Sequence, residues 1–283
     1  MSRSIRHHPK TPVGGQAPSS SSGVRFTGKN VFVTGAGSGF GRRTAERFAA
    51  EGAANLYLVD RRPDRLEAVA PVIAELGANP VPICVDLGET AGCQDAIEQA
   101  LAVDSRLDVL ISNAAAWVQV PFIEMSDDDW RRVMSVNLDA YFTLSQRAAQ
   151  AMKETGGGVI LFTSSISALG HGRNFTAYCV AKAAIISLAK AIAVELAPWN
   201  IRANCVSPGP ADTQQSVDIA GAELMDKWRA EGFPVVPMNR LAAVDDIASA
   251  FLYLASDDAR YVSGVNLVVD GAYTAQVYDL PKS

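Results

Sequence analysis

From Asn30 onward, seven short apolar runs recur along the chain, each separated from the next by a longer segment, and this alternation leaves few folds open. The runs are NVFVT (30–34), NLYLVD (55–60), VPICVD (81–86), LDVLIS (107–112), GVILFT (158–163), IRANCVS (201–207) and NLVVD (266–270). Between them, amphipathic spacing predicts helices over 42–51, 63–76, 90–103, 127–155, 176–197 and 245–255. Strand, helix, strand in strict succession is the pattern of β-α-β units around a parallel sheet. The punctuation agrees. Ser126 is placed to cap a helix whose first turn carries Asp127, Asp128 and Asp129 against the positive end of the dipole, and Pro198 closes the helix over 176–197. The fold class is therefore α/β, a doubly wound seven-stranded parallel sheet with helices on both faces.

At 283 residues and 48% hydrophobic, the chain has enough material for a sizeable core, and a sheet of this kind is expected as one domain over 24–283. Residues 1–23 are rich in Ser, Pro, Gly and basic side chains and are expected to be a disordered tail. A formal charge of −5 without basic clusters in the folded part argues against nucleic acid as a partner. Cys84, Cys93, Cys179 and Cys205 form no Cys-x-x-Cys pair and are expected to be reduced and buried. No apolar run reaching the ~20 residues of a membrane span and no signal core are read, which implies no membrane partner and a cytoplasmic location. His7 and His8 belong to the tail, so no metal site is expected. His171 alone leaves little for a Ser-His-Asp hydrolase.

Reactive side chains concentrate in the stretch 159–196. Tyr178 and Lys182 are four residues apart, so on a helix both leave one face and an ammonium lies near a phenol. A fixed positive neighbour favours the phenolate, so the spacing predicts a Tyr178 more acidic than a free tyrosine, whose pKa is about 10. Ser165 ends the preceding strand, where its hydroxyl is placed to hold the oxygen that Tyr178 protonates or deprotonates. Upstream, TGAGSGFG over 34–41 joins the first strand to its helix, where backbone amides and the helix dipole favour a pyrophosphate. Gly35, Ser38, Gly39, Phe40 and Gly41 are the candidate contacts, in a T-G-x-x-x-G-x-G spacing. Asp60 ends the second strand, close to where an acid accepts hydrogen bonds from adenosine ribose hydroxyls and repels a 2′-phosphate. Arg61 and Arg62 place opposite charge beside it.

The Ser165, Tyr178, Lys182 arrangement, together with this glycine loop, resembles the short-chain dehydrogenase/reductase family over roughly 24–272. The resemblance implies a Rossmann-like fold and NAD rather than NADP as cofactor, because Ser38 stands where NADP-preferring members often carry a basic residue. It implies that Asp86 and Leu87 contact the adenine. Ser112-Asn113-Ala114-Ala115 departs from the family's Asn-Asn-Ala-Gly at Ser112 and Ala115. The methyl of Ala115 then narrows the ribose site or demands a different backbone angle. Asn137, in SVNLDA, matches the asparagine that holds a water linking the lysine to bulk solvent. Pro208, Gly209, Ala211 and Thr213 match a segment along the nicotinamide, with Thr213 and the Ala211 backbone orienting its carboxamide. Lys182 is also implied to bond the nicotinamide ribose.

Asn137, Ser165, Tyr178 and Lys182 are thus the candidate catalytic residues, and reversible hydride transfer to or from a secondary alcohol or ketone is the implied reaction. Trp117, Ser165, Ser167, His171 and Tyr178 are expected to line the substrate site, with Val118 and Asn174 beside them, under a lid over 214–236. An enoyl reductase of this kind places its lysine farther from the tyrosine, and an epimerase carries a larger substrate domain. A homotetramer is implied, with the helices of Tyr178 and Asn137 at one interface and the last strand at another. The tail 273–283 is expected to reach a neighbour's pocket. The rival reading is a non-catalytic dinucleotide sensor or scaffold, and retention of the polar set argues against it.

Overall fold

The computed structural model describes residues 24–276, so the tail over 1–23 and residues 277–283 lie outside the described residues. Seven strands form one sheet: β1 (Asn30–Thr34), β2 (Asn55–Asp60), β3 (Asn79–Cys84), β4 (Val109–Ser112), β5 (Gly158–Thr163), β6 (Ile201–Pro208) and β7 (Asn266–Val269). Their spatial order is β3-β2-β1-β4-β5-β6-β7, every neighbouring pair parallel. The order reverses between β1 and β4, and at such a switch point the loops leaving the carboxyl ends diverge and open a crevice.

Helices α1 (Gly39–Ala50), α2 (Pro63–Glu75) and α3 (Thr90–Val103) connect the first four strands. Side-chain alternation along each strand feeds two cores. Val31, Val33, Leu56 and Leu58 pack with Phe48 of α1 and Ile73 of α2 on one face of the sheet. Phe32, Tyr57, Leu110 and Phe162 point to the other face and meet Ile97 of α3. Both faces are covered, which is why the runs read as nearly continuous apolar sequence.

The helix expected over 127–155 is three elements. α4 (Asp127–Met134) opens with the expected cap, the Ser126 hydroxyl accepting from the Asp129 amide at 3.1 Å while the Asp129 carboxylate accepts from the Ser126 amide at 3.3 Å. A π-helical turn, Ser135–Asp139, follows, and then α5 (Ala140–Glu154). The Asn137 side-chain amide donates to the Val133 carbonyl at 2.9 Å, competing for the acceptor that the i−4 ladder uses, and the helix widens there.

α6 (Thr176–Leu196) carries Tyr178 and ends in a short turn, Ala197–Trp199, that contains Pro198. It corrects the sequence reading on one point, being long and apolar enough by length and composition to cross a membrane. Its apolarity serves the sheet, with Ile185, Ala189 and Ala193 in the core against β5 and β6. The expected lid is two helices, α7 (Gln214–Ala220) and α8 (Ala222–Glu231), and α9 (Val244–Ala255) packs beside α1. β3 stops at Cys84, so Asp86 and Leu87 lie just past the strand. This edge strand holds Pro80 and Pro82, and Cys84 is exposed, unlike the buried Cys93, Cys179 and Cys205.

Candidate active site

A cleft of about 760 Å³ runs along the carboxyl ends of the strands, and the glycine loop and Tyr178 line it together. At one end the chain leaves β1 through Gly35 and enters α1 at Gly39 behind Ser38, an N-cap whose side chain makes no capping bond. The first turn of α1 holds no acidic side chain, so its amides and dipole are free to face an anion. Gly37 is required here, since a Cβ would lie 2.8 Å from a carboxylate oxygen of Asp60. Gly41 differs from its expected part. It does not line the cleft, and a Cβ on it would lie 2.3 Å from the Gly35 carbonyl, so its smallness lets α1 close on the loop.

Asp60 lines the same end. One oxygen accepts from the Gly37 amide at 3.0 Å and the other from the Arg62 amide at 3.0 Å, which fixes the carboxylate beside the loop. Arg61 lines the cleft, whereas Arg62 turns to Asp64 at 2.9 Å. Arg65, which the sequence reading passed over, also lines this end and donates to the Ser38 hydroxyl at 3.2 Å. Asp86 and Leu87 are at the cleft wall, the Asp86 carboxylate accepting from the Gly88 amide at 2.8 Å.

Asn113, Ala114 and Ala115 form the middle of the wall. The Thr34 hydroxyl accepts from the amides of Asn113 and Ala114 at 2.8 and 2.9 Å, tying β1 to this loop. Ala115 is exposed and is not among the residues with positive φ, so its methyl requires no strained backbone. Asn137 is fully buried, and its amide donates to the Ala116 carbonyl at 2.6 Å while its oxygen accepts from the Ala116 amide at 3.3 Å. Its side chain braces this loop, so the water-holding part assigned to it is not carried by the side-chain amide, whose two donors go to Ala116 and Val133.

The other end holds the reactive set. Ser165 follows β5, and its hydroxyl oxygen accepts from the Ser167 amide at 3.0 Å, leaving its proton to donate. Tyr178 is partly exposed to the cleft, and the polar side chains of Ser165 and of Gln215 in the lid lie near enough to its hydroxyl to favour the phenolate. Lys182 is buried at 1% exposure; its Nζ donates to the Thr163 carbonyl at 2.8 Å and stands 5.5 Å from the centre of the Tyr178 ring. Acidities correct the sequence reading. Burial pushes the Tyr178 phenol above its ordinary range, and the nearby Ser165 and Gln215 side chains only partly offset it. Burial also brings Lys182 down to about 7, so near neutrality the lysine is a partial cation and lies over the ring rather than at the oxygen.

Pro208, Gly209, Ala211 and Thr213 line the same region. The Thr213 hydroxyl caps α7, accepting from the Ser216 amide at 3.3 Å, and the Ala211 carbonyl accepts from the Ser216 hydroxyl at 2.6 Å. Trp117 and Ser167 are in the lining, with Phe175 beside Trp117 at 6.3 Å between ring centres. His171 and Asn174 are exposed and outside the lining, although Gly172 between them reaches it, and Val118 is outside it too, packed against Val133 and Ala177. The sequence reading missed Arg65, Gln215 and Tyr141. Tyr141 had a signal, four residues beyond Asn137, but Arg65 and Gln215 become visible only once α2 and α7 are folded over the cleft.

A family model described as enoyl-(acyl carrier protein) reductase matches residues 35–274. An uncharacterised short-chain type dehydrogenase/reductase of Sinorhizobium fredii is 37% identical over 250 residues, covering 86% of this chain and 96% of the relative. An L-rhamnose 1-dehydrogenase (NAD(P)(+)) of Azotobacter vinelandii is 37% identical over 250 residues, with 86% and 95% covered. Among solved structures, an L-sorbose reductase from Gluconobacter frateurii, complexed with NADPH and L-sorbose, superposes with a TM-score of 0.84 at 30% identity, covering 89% of this chain and 98% of that one.

Proposed function

The chain belongs to the short-chain dehydrogenase/reductase family of oxidoreductases acting on alcohols and ketones, and on that premise we propose an NAD(H)-dependent enzyme that interconverts a secondary alcohol and its ketone through Tyr178. The observation that carries this is one continuous cleft, with an anion-ready helix start and a carboxylate at one end and Ser165, Tyr178 and Lys182 at the other. The residues fit a dinucleotide. The uncapped start of α1 suits its pyrophosphate, Asp60 its adenosine ribose, and Asp86 with Leu87 its adenine. Lys182 would bond the nicotinamide ribose, and Ala211 with Thr213 would orient the carboxamide. When bound, the nicotinamide supplies or accepts the hydride.

Within this reading Ser165 donates its free proton to the substrate oxygen and polarises it. Tyr178 gives a proton to that oxygen in reduction and takes one in oxidation. Its raised pKa keeps the phenol protonated at neutral pH, the form required of the acid. Lys182 stabilises negative charge developing on the phenol. Asn137 holds the loop at Ala116 that forms the wall beside them.

NAD is preferred because Asp60 places a fixed carboxylate where a 2′-phosphate would lie. NADP is the second reading, favoured by Arg61 and Arg65 in the same corner. Trp117 and Phe175, paired in the lining, together with Ser167 and Gln215 suit a mid-sized substrate carrying both apolar and hydroxyl groups. Exposed Phe142 on α5 and Val180 and Val194 on α6 support a homotetramer. Free cysteines, one of them exposed, support a reducing cytoplasmic compartment.

The test is reduction of NAD and NADP, followed by absorbance, against a panel of secondary alcohols, for the wild-type chain and Tyr178→Phe. Turnover of the variant is expected to fall by about 10²–10⁴-fold with cofactor affinity kept. Near-normal turnover rejects the role of Tyr178.

A further inference from the structure

Tyr141 has no part in the proton chemistry above, yet its surroundings belong to the same centre. It sits on α5 at 1% exposure, its ring 5.4 Å from that of Phe162. An unpaired hydroxyl at such depth costs free energy, so the bonds it makes are informative. The hydroxyl donates to the Ala114 carbonyl at 3.1 Å, and its oxygen lies 3.5 Å from Lys182 Nζ. A phenol has one proton. With that proton committed to Ala114, the oxygen meets the lysine as an acceptor, at the long limit of a hydrogen bond and well within charge–dipole attraction.

Lys182 has few other partners. Nζ is held by the Thr163 carbonyl at 2.8 Å and stands over two rings, 5.2 Å from the centre of Tyr141 and 5.5 Å from that of Tyr178. The titratable groups facing it are Tyr141 from α5, Tyr178 from its own helix and Cys205 from β6, whose thiol burial holds at about 12. β5 contributes the Thr163 carbonyl, and just past the strand the Ser164 hydroxyl donates at 2.8 Å to the carbonyl of Lys182 itself. Among the described residues no carboxylate acts on the lysine. A buried ammonium with three protons to place therefore has two oxygen acceptors, and one of them is Tyr141.

On the reading that Tyr178 and Lys182 form the reaction centre, we propose that Tyr141 is a positioning residue, its hydroxyl seating the Lys182 ammonium beside Tyr178 and tying it to the Ala114 carbonyl at the cleft wall. Removing that oxygen withdraws stabilisation from the charged form of the lysine. The lysine then titrates below about 7, and Tyr178 loses part of its cation at the pH of turnover.

Tyr141→Phe tests this, because it keeps the ring against Phe162 and over the lysine and removes only the oxygen. In full-length protein labelled with ¹⁵N-lysine, the Lys182 side-chain signal, identified by its absence in Lys182→Met, is titrated by NMR in wild type and variant. The midpoint is expected to fall by about one pH unit, a tenfold change in acidity. The kcat–pH profile should shift the same way, with kcat down several-fold and the KM for cofactor little changed. An unmoved midpoint and profile, with only a lower Tm, overturns the proposal.

Because the variant strands the partly buried Ala114 carbonyl and can fail to fold, 3-fluorotyrosine at position 141 is the second probe. It keeps both contacts and weakens the oxygen as an acceptor, so a smaller downward shift is expected and no shift overturns the proposal. The NMR titration needs no substrate. If wild type turns over no alcohol, the functional reading falls, and the contact between Tyr141 and Lys182 is still decided.

Discussion

Replacing Lys182 with methionine should make the protein more stable while abolishing its activity. Unfolded, the lysine titrates at 10.5, and in the folded chain burial brings it to about 7. At ~1.4 kcal/mol per pH unit, that fall represents on the order of 5 kcal/mol of cost in keeping the ammonium inside. Methionine fills the same space without charge, but it leaves the Thr163 carbonyl without its donor, a loss of about 1–3 kcal/mol, and gives up the attraction to two rings. The net gain should be ~2 kcal/mol, a rise in Tm of ~4–8 °C for a domain of this size. The sign with pH is also determined. Below about 7 both folded and unfolded chains hold the proton, so the full cost is present. Between about 7 and 10.5 the folded lysine has lost its proton while the unfolded one keeps it, so this group adds stability as pH rises. The advantage of Lys182→Met should therefore be largest below pH 7 and shrink steadily above it. Thermal denaturation of cofactor-free wild type and variant across that range, at one protein concentration, measures it. A variant less stable at pH 6, or an advantage that grows with pH, would refute the reasoning.

Three further substitutions probe one end of the cleft and the turn after β7. Asp60→Ala should weaken NAD binding and relieve the penalty on NADP, moving the ratio of kcat/KM values toward NADP by about tenfold or more, and adding Arg65→Ala should reverse much of that gain; cofactor titrations of the single and double variants decide it. Ala272 has a left-handed backbone, φ 72°, beside Asp270, so Ala272→Gly should raise stability by ~1 kcal/mol, and a lower Tm would mean the turn is not strained.

Much of the fold was legible because a parallel sheet buried on both faces writes its strands as short apolar runs, and each of the seven runs holds a strand, with β3 displaced two residues toward the N-terminus, to Asn79–Cys84. α3 runs from Thr90 to Val103 as read. Where the reading failed, a long-range contact decided. The π-helical turn at Ser135–Asp139 exists because Asn137 reaches both Val133 and Ala116, and Ala116 is near only once β4 and α4 are assembled.

The spacing of Tyr178 and Lys182 and the glycines from Gly35 to Gly41 are local, so the linear chain was enough to mark them as candidates for one cleft. Acidity was not local. Four residues of separation bring a lysine toward a phenol, but the dielectric around them is made by β5, β6 and α5, and that burial raises Tyr178 and lowers Lys182. Tertiary structure alone turned His171 outward, brought Arg65 to Ser38 and set Tyr141 against the lysine, because each depends on how separate helices seat on the sheet, which no single stretch of sequence encodes.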